Sequence, residues 1–381
     1  MILRNSATNV QWLFDCGEGS QVQAQKIPEA RIKRITRIFI THMHGDHVYG
    51  LPGLMATLAH RMQGEERGPD DVDVEIYGPQ GLRRYLRLAL SLAWALLDIT
   101  YTVHELMFSP KQTVVQDYVK FASTKIHPDY DPILPYERPG RDIYPDENGL
   151  WRNIFGPEGP PGPVGEVKTT FTVHAVPLRH TVPSVGWLLV ESPSPPRMMM
   201  EKVNELGVPP GPLLGKLKKG QIITFKRDGV DVTVSPDQVV GPGIRGRRIA
   251  ICGDSGDSSA LADLLRLEFP NEEPVIDTLV HEATVLSAHG EHTYEKGHTS
   301  AAEAAKFAAS IGVRQLILTH FSQRYISYPP SAPTNGDGSK LLNLRAEDDV
   351  TRLLDDAKTC TEFKGVIKLA EDLKTFKLLP V

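Results

Sequence analysis

Four apolar stretches of this chain run straight into a metal-type side chain, and no other feature constrains the fold as much. The stretch 37–40 leads to His42, 169–177 to His180, 248–252 to Asp254 and 315–318 to His320. Short apolar runs closed by turn residues read as buried strands. Strands that all release candidate ligands at one end make a shared site at a sheet edge.

The densest of these exits is His42-x-His44-x-Asp46-His47. His42 and His44 alternate along an extended backbone, so both can face one side. Asp46 and His47 follow a turn at Gly45 and can address a second ion. Imidazole nitrogen combined with carboxylate oxygen suits zinc or a similar first-row metal. Six other histidines, His60, His104, His127, His174, His289 and His292, lie in no motif and read as structural or surface residues.

The chain has 381 residues, enough for one large core or two ordinary ones. Its net charge is −5, so no global basic field marks it as a passive nucleic-acid binder. An enzyme with local basic patches remains compatible with that balance. Cys16, Cys252 and Cys360 are dispersed and predict buried thiols rather than a disulfide framework. The longest apolar run, 88–97, is too short to span a bilayer. With no secretory signal in view, an intracellular protein without membrane segments is predicted, cytoplasmic or nuclear, with a mitochondrial site not excluded.

Along the chain, strands are predicted at 12–14, 37–40, 74–77, 99–106, 169–177, 248–252, 278–280 and 315–318, with helices from about Ser20, over 81–97 and over 300–311. Residues 109–165 read as a surface insertion, partly disordered, because the run Pro157-Glu158-Gly159-Pro160-Pro161-Gly162-Pro163 can hold neither a helix nor a central strand. A second Pro/Gly-rich stretch, 207–220, carries Lys216, Lys218 and Lys219.

Further motifs accompany the ligands: Phe14-Asp15-Cys16-Gly17-Glu18-Gly19, Leu51-Pro52-Gly53-Leu54, Tyr77-Gly78-Pro79-Gln80-Gly81, His281-Glu282-Ala283-Thr284, Gly297-His298-Thr299-Ser300 and His320-Phe321-Ser322-Gln323-Arg324-Tyr325. Together they resemble the metallo-β-lactamase superfamily and, within it, the short form of the tRNase Z family of tRNA 3′-processing endonucleases. The resemblance implies an α/β fold, a four-layer αββα sandwich formed as a single domain over 1–381, with a protruding tRNA-binding arm at 197–235. It implies two zinc ions per chain, one held by His42, His44 and His180, the other by Asp46, His47 and His320, with Asp254 bridging. Hydroxide at such a pair is a nucleophile at neutral pH, and Asp46 would orient it and accept its proton. Glu282 and His298 would help protonate the leaving 3′-oxygen; a supporting structural role, hydrogen-bonding a ligand, is the rival for both and the stronger reading for Glu282. Lys216, Lys218, Lys219 and Arg324 would contact substrate phosphate. The expected partners are precursor tRNA and, as in the short form, a second copy of the chain. The products would be a tRNA 3′-hydroxyl and a 5′-phosphorylated trailer. A metallo-hydrolase of small phosphodiesters on the same fold and a truncated inactive paralogue are the alternatives.

Two comparisons with the family pattern concern the ends. Arg4-Asn5 matches a motif that a first strand and a Gly-rich loop normally precede; their absence predicts a missing edge strand beside the site. Residues 366–376 match the family's closing pair of strands.

Overall fold

Side-chain alternation sets the layers of this protein. The computed structural model describes all residues except 6–7, 59–70, 110–111, 113–132, 161, 167, 194–196, 242, 244, 274, 327–348 and 379–381, and the side chains of 291 and 292. Two compact units are present, Met1–Leu189 with Arg248–Leu379, and the intervening Val190–Arg247.

The first sheet of the larger unit is built from β1 (Ile2–Arg4), β2 (Gln11–Phe14), β3 (Ile35–Phe39), β4 (Val74–Pro79), β5 (Tyr101–Leu106) and β6 (Glu137–Arg138) in that order, with β7 (Asp142–Ile143) also on β5. The second contains β8 (Trp151–Phe155), β9 (Phe171–Leu178) and β10 (Ser184–Glu191). After a hairpin of β11 (Ile223–Arg227) and β12 (Val230–Val234), it continues with β13 (Arg248–Cys252), β14 (Thr278–Glu282), β15 (Gln315–Thr319) and β16 (Val366–Leu369). Its order is β16-β15-β14-β13-β10-β9-β8.

Successive residues of a strand face opposite sides. Trp12, Phe14 and Phe39 therefore meet Val173, Val185, Trp187, Ile249, Ile251 and Val280 of the second sheet in one core. Phe39 stacks on Phe14 at 4.7 Å and meets Trp187 edge-on at 5.1 Å. Each such buried side chain contributes about 1.5–3 kcal/mol by leaving water. The alternate residues Leu13, Ile38 and Ile76 face outward, against Leu51, Leu54, Met55, Leu82 and Leu86 of the helices Leu51–Leu58 and Leu82–Leu92. On the far side, the helix Ala301–Ser310 buries Ala301, Ala304, Ala305 and Ala308, a stripe of methyls at helical spacing. Ser300 and Glu303 start this helix with a capping box. The layers are helix, sheet, sheet, helix.

Several sequence expectations need correction. The helix expected over 81–97 ends at Leu92, because Trp94 takes a left-handed backbone (φ 52°) and the Ala95 N–H closes back on the Leu90 carbonyl. Within 109–165, β6 and β7 extend the first sheet and β8 the second, and Trp151 is buried, so this half is no mere surface insertion; the described residues of 157–163 do form turns. The first sheet opens with β1, which contains Arg4 itself and pairs antiparallel with β2 through Ile2–Leu13, Leu3–Trp12 and Arg4–Gln11, so it is not the strand expected ahead of Arg4-Asn5. In place of a closing pair, 366–376 contains the single strand β16. His60 and His127 lie outside the described residues. Cys16, Cys252 and Cys360 are free thiols; the first two are buried and burial pushes both up to about 12, whereas Cys360 is half-buried. No described helix is long and apolar enough to cross a membrane.

The smaller unit has its own core of Val203, Val208, Leu217, Ile223, Val234 and Val239. The Pro/Gly-rich stretch forms a short helix, Pro212–Lys218. Proline is tolerated at its first turn, where the missing N–H would have had no helical partner. Leu217 points into that core while Lys216, Lys218 and Lys219 are exposed.

Candidate metal centre

Strand direction brings the chemistry together. β2, β3, β4 and β5 run parallel, as do β13, β14, β15 and β16. Parallel strands release their following loops at one edge. Asp15 follows β2, His42 to His47 follow β3, Asp254 follows β13 and His320 follows β15, while Glu282 is the last residue of β14. His180 lies just beyond β9.

All seven candidate ligands converge. His42, His44, His180 and Asp254 form one group and Asp46, His47 and His320 a second, and Asp254, His298 and His320 form a third that links them. His44 Nδ1 lies 3.1 Å from His42 Nε2 and 3.2 Å from His180 Nε2. Asp254 Oδ2 lies 3.7 Å from His42 Nε2 and 3.1 Å from His320 Nε2, and its Oδ1 is 3.5 Å from His47 Nε2. Asp46 Oδ2 is 3.5 Å from both His47 Nε2 and His320 Nε2. Ligands at zinc–nitrogen distance on a tetrahedron are separated by roughly 3.3–3.4 Å, so this spacing suits a cation at each centre.

The outer ring nitrogens fix the direction of the lone pairs. His180 Nδ1 donates to the Gly297 carbonyl at 2.8 Å, and His47 Nδ1 to the Asp15 carboxylate at 2.8 Å. Thr41 Oγ1 gives its one proton to Asp15 Oδ2 at 2.8 Å, which leaves it to accept from His42 Nδ1 at 3.1 Å. In each of these three rings Nε2 turns its lone pair inward. His47 Nε2 is buried without a hydrogen-bond partner. Such an orphan is costly unless a cation meets it.

The surrounding charges pull in the same sense. Burial disfavours a charged His47, but Asp15 and Asp254 outweigh it and push the imidazole up to about 11. The same carboxylates would favour a cation at His47 Nε2 once its proton leaves. His42 is the opposite case, pushed down to about 3 mainly by burial and also by neighbouring His47, so it presents a neutral ring. Burial raises Asp254, yet the neighbouring imidazoles of His47, His320 and His42 hold its carboxyl well below the usual range.

His298 stands beside the centre in a different role. Its Nδ1 is 3.1 and 3.2 Å from the two oxygens of Glu282, and 3.9 Å from Asp254. Nδ1 is thus committed to Glu282 and is not free as a ligand. Burial alone would lower His298; the Glu282 hydrogen bond and charge outweigh it and raise the imidazole above its ordinary value. Glu282 is 1% exposed and also accepts from Ser255 N at 2.5 Å and from the Thr284 hydroxyl. Arg324 is exposed, four positions beyond His320.

Asp15 is the functional residue that sequence reasoning left without a role, although it follows an apolar strand just as His42 does. Besides His47 it binds Thr41 N at 2.7 Å, fastening the start of the ligand loop. Gly17 packs under the same loop: a Cβ there would sit 1.9 Å from the Asp46 carbonyl oxygen. Gly17→Ala is therefore expected to cost about 1–3 kcal/mol of stability through overpacking and to weaken zinc binding. The urea midpoint and a chelator competition measure both.

Comparison with known proteins decides the family. Residues 2–61 match the metallo-beta-lactamase superfamily model. The human protein named zinc phosphodiesterase ELAC protein 1 is 37% identical, over 88% of this chain and 85% of its own length. Ribonuclease Z of Parasynechococcus marenigrum is 30% identical, over 87% of this chain and 83% of its own. The chain belongs to the ribonuclease Z family. The crystal structure of human tRNase Z, short form, superposes with a TM-score of 0.57 at 27% identity, covering 99% of this chain and 91% of that one. The fold expected from the motifs is therefore the fold of the ribonuclease Z family, in the αββα form, and the ligand cluster lies inside the matched region 2–61 for His42 to His47.

Proposed function

We propose that this protein is a zinc-dependent endoribonuclease that removes 3′ trailers from precursor tRNA. The observation that carries the reading is the convergence of seven candidate ligands beside an imidazole hydrogen-bonded to a buried carboxylate. Membership in the ribonuclease Z family supports RNA as the substrate.

In this reading His42, His44 and His180 would hold one zinc and Asp46, His47 and His320 a second, with Asp254 within reach of both groups. Bound zinc supplies a water acidified to near neutrality and a Lewis acid for the scissile phosphate. Asp46, the most exposed ligand, with 66% of its side chain accessible, orients the attacking water and takes up its proton. The new phosphorus–oxygen bond forms as the bond to the tRNA 3′-oxygen breaks, and His298 Nε2 delivers a proton to that oxygen. Glu282 keeps His298 oriented and favours its charged form. The products are a tRNA 3′-hydroxyl and a trailer with a 5′-phosphate.

Residues 197–235 serve as the tRNA-binding arm, with Lys216, Lys218 and Lys219 against backbone phosphate and Arg324 contacting phosphate near the site. Replacing the three lysines by alanine is expected to raise KM with kcat little changed. It should also flatten the dependence of log affinity on log salt by about one unit per lost phosphate contact. The protein acts as a homodimer, which light scattering tests, where precursor tRNA is found, in the cytoplasm, nucleus or mitochondrion. Deletion of residues 198–220 tests the substrate class: hydrolysis of a small nitrophenyl phosphodiester should survive while precursor tRNA cleavage falls. Unchanged tRNA cleavage would refute the arm.

A further inference from the structure

Thr284 joins two parts of the site that the reaction uses separately. Its hydroxyl contacts a Glu282 carboxylate oxygen, His320 Nδ1 at 3.1 Å and the His320 carbonyl at 3.1 Å. Its backbone joins the same two loops: Thr284 N donates to the Thr299 carbonyl at 3.0 Å, next to His298, and Ser322 N donates to the Thr284 carbonyl at 3.0 Å. His320 itself has a left-handed backbone, φ 55°, which is uncommon for a residue with a side chain.

A threonine hydroxyl has one proton. The Glu282 carboxylate and the His320 carbonyl both lie within reach of it, and the carboxylate is the stronger acceptor, so the oxygen's lone pairs are left to accept from His320 Nδ1–H. That choice gives His320 the same tautomer as His42, His47 and His180, with Nε2 directed at Asp254 (3.1 Å) and Asp46 (3.5 Å). The same hydroxyl is one of three donors on Glu282, with Ser255 N and His298 Nδ1.

We propose that Thr284 is a positioning residue that sets the tautomer of His320 for metal binding and at the same time holds Glu282 in place beneath His298. The first half needs only that the centre binds metal; the second rests on the endoribonuclease reading. β-Branching restricts the side-chain rotamer and keeps the hydroxyl aimed at both partners.

The backbone bonds of Thr284 survive in Thr284→Val, which is nearly isosteric, so the hydroxyl is tested apart from the loop staple. Zinc affinity by chelator competition and the visible absorption of the cobalt-substituted protein are measured for wild type, Thr284→Val and Thr284→Ser. The valine variant is expected to lose about 10–100-fold in zinc affinity, as removal of an outer partner does, and to change the cobalt spectrum. Serine should restore both. With saturating zinc, kcat for precursor tRNA should fall in the valine variant while KM holds. Thr284→Cys, with a poor donor and acceptor of similar size, replaces valine in the comparison if that variant does not fold. Unchanged affinity and spectrum in the variant lacking the hydroxyl, or a serine variant as impaired as valine, would overturn the proposal. If no form cleaves precursor tRNA yet the metal readouts respond as expected, the tautomer assignment stands and the endoribonuclease reading fails.

Discussion

Asp254→Asn is expected to abolish zinc binding and to reduce cleavage by more than about 10⁴-fold, beyond the upper end for loss of a single acid–base group. Asp254 is 3% exposed and is the residue that faces both ligand groups, His42 at 3.7 Å on one side and His47 at 3.5 Å with His320 at 3.1 Å on the other. Asparagine keeps the shape but removes the charge. Its amide would also turn donors or a neutral oxygen toward imidazole lone pairs that require a cation. Zinc content after gel filtration, cleavage rate and the far-ultraviolet circular dichroism spectrum separate loss of metal from loss of fold. A folded Asp254→Asn protein that keeps its zinc and more than a tenth of its activity would contradict the bridging position.

His298→Ala should behave differently, keeping its zinc while kcat falls by about 10²–10⁴-fold, the range for a positioned general acid. The basis is geometric: Nδ1 donates to Glu282 at 3.1 Å, so the proton a charged ring can give away is the one on Nε2. The loss should depend on the leaving group. A substrate with sulfur in place of the bridging 3′-oxygen departs without protonation and should be cleaved nearly as fast by the variant as by the wild type. Equal slowing of the oxygen and sulfur substrates would remove the acid role and leave His298 as a support for the site.

The candidate site was legible because each ligand stands next to a strand end. His42, Asp254 and His320 follow parallel strands, and once those runs are read as strands their exits must share an edge. Asp15 obeys the same rule at the end of β2, and its left-handed backbone (φ 55°) turns the carboxylate back toward Thr41 and His47. What hid it is that a lone carboxylate after a strand carries no periodic or spacing signal. Thr284 is hidden for a similar reason, since a hydroxyl's value lies wholly in its partners.

Other parts of the fold were decided beyond local pattern. The helix from Leu82 stops at Leu92 although apolar residues continue, leaving Leu92, Trp94 and Leu96 exposed at 86%, 85% and 84%. Hydrophobic spacing cannot register the left-handed turn at Trp94 that ends it. β6, β7 and β8 are short pieces in a Pro/Gly-rich neighbourhood, and they are strands because β5 and β9 offer them backbone partners. Composition predicted irregularity there; pairing with distant strands overrode it. The reverse holds in the smaller unit, where Pro212 sits at the one turn of a helix that accepts it.

The central claim is that this metal centre cuts precursor tRNA. The most direct test is incubation of the zinc-loaded protein with a 3′-extended tRNA, with single-nucleotide mapping of the products. The account predicts one cut immediately after the discriminator base, a 3′-hydroxyl on the tRNA and a 5′-phosphate on the trailer, all lost on chelation and restored by zinc. Absence of cleavage by the zinc-loaded protein, a cut elsewhere, or cleavage indifferent to chelation would contradict it.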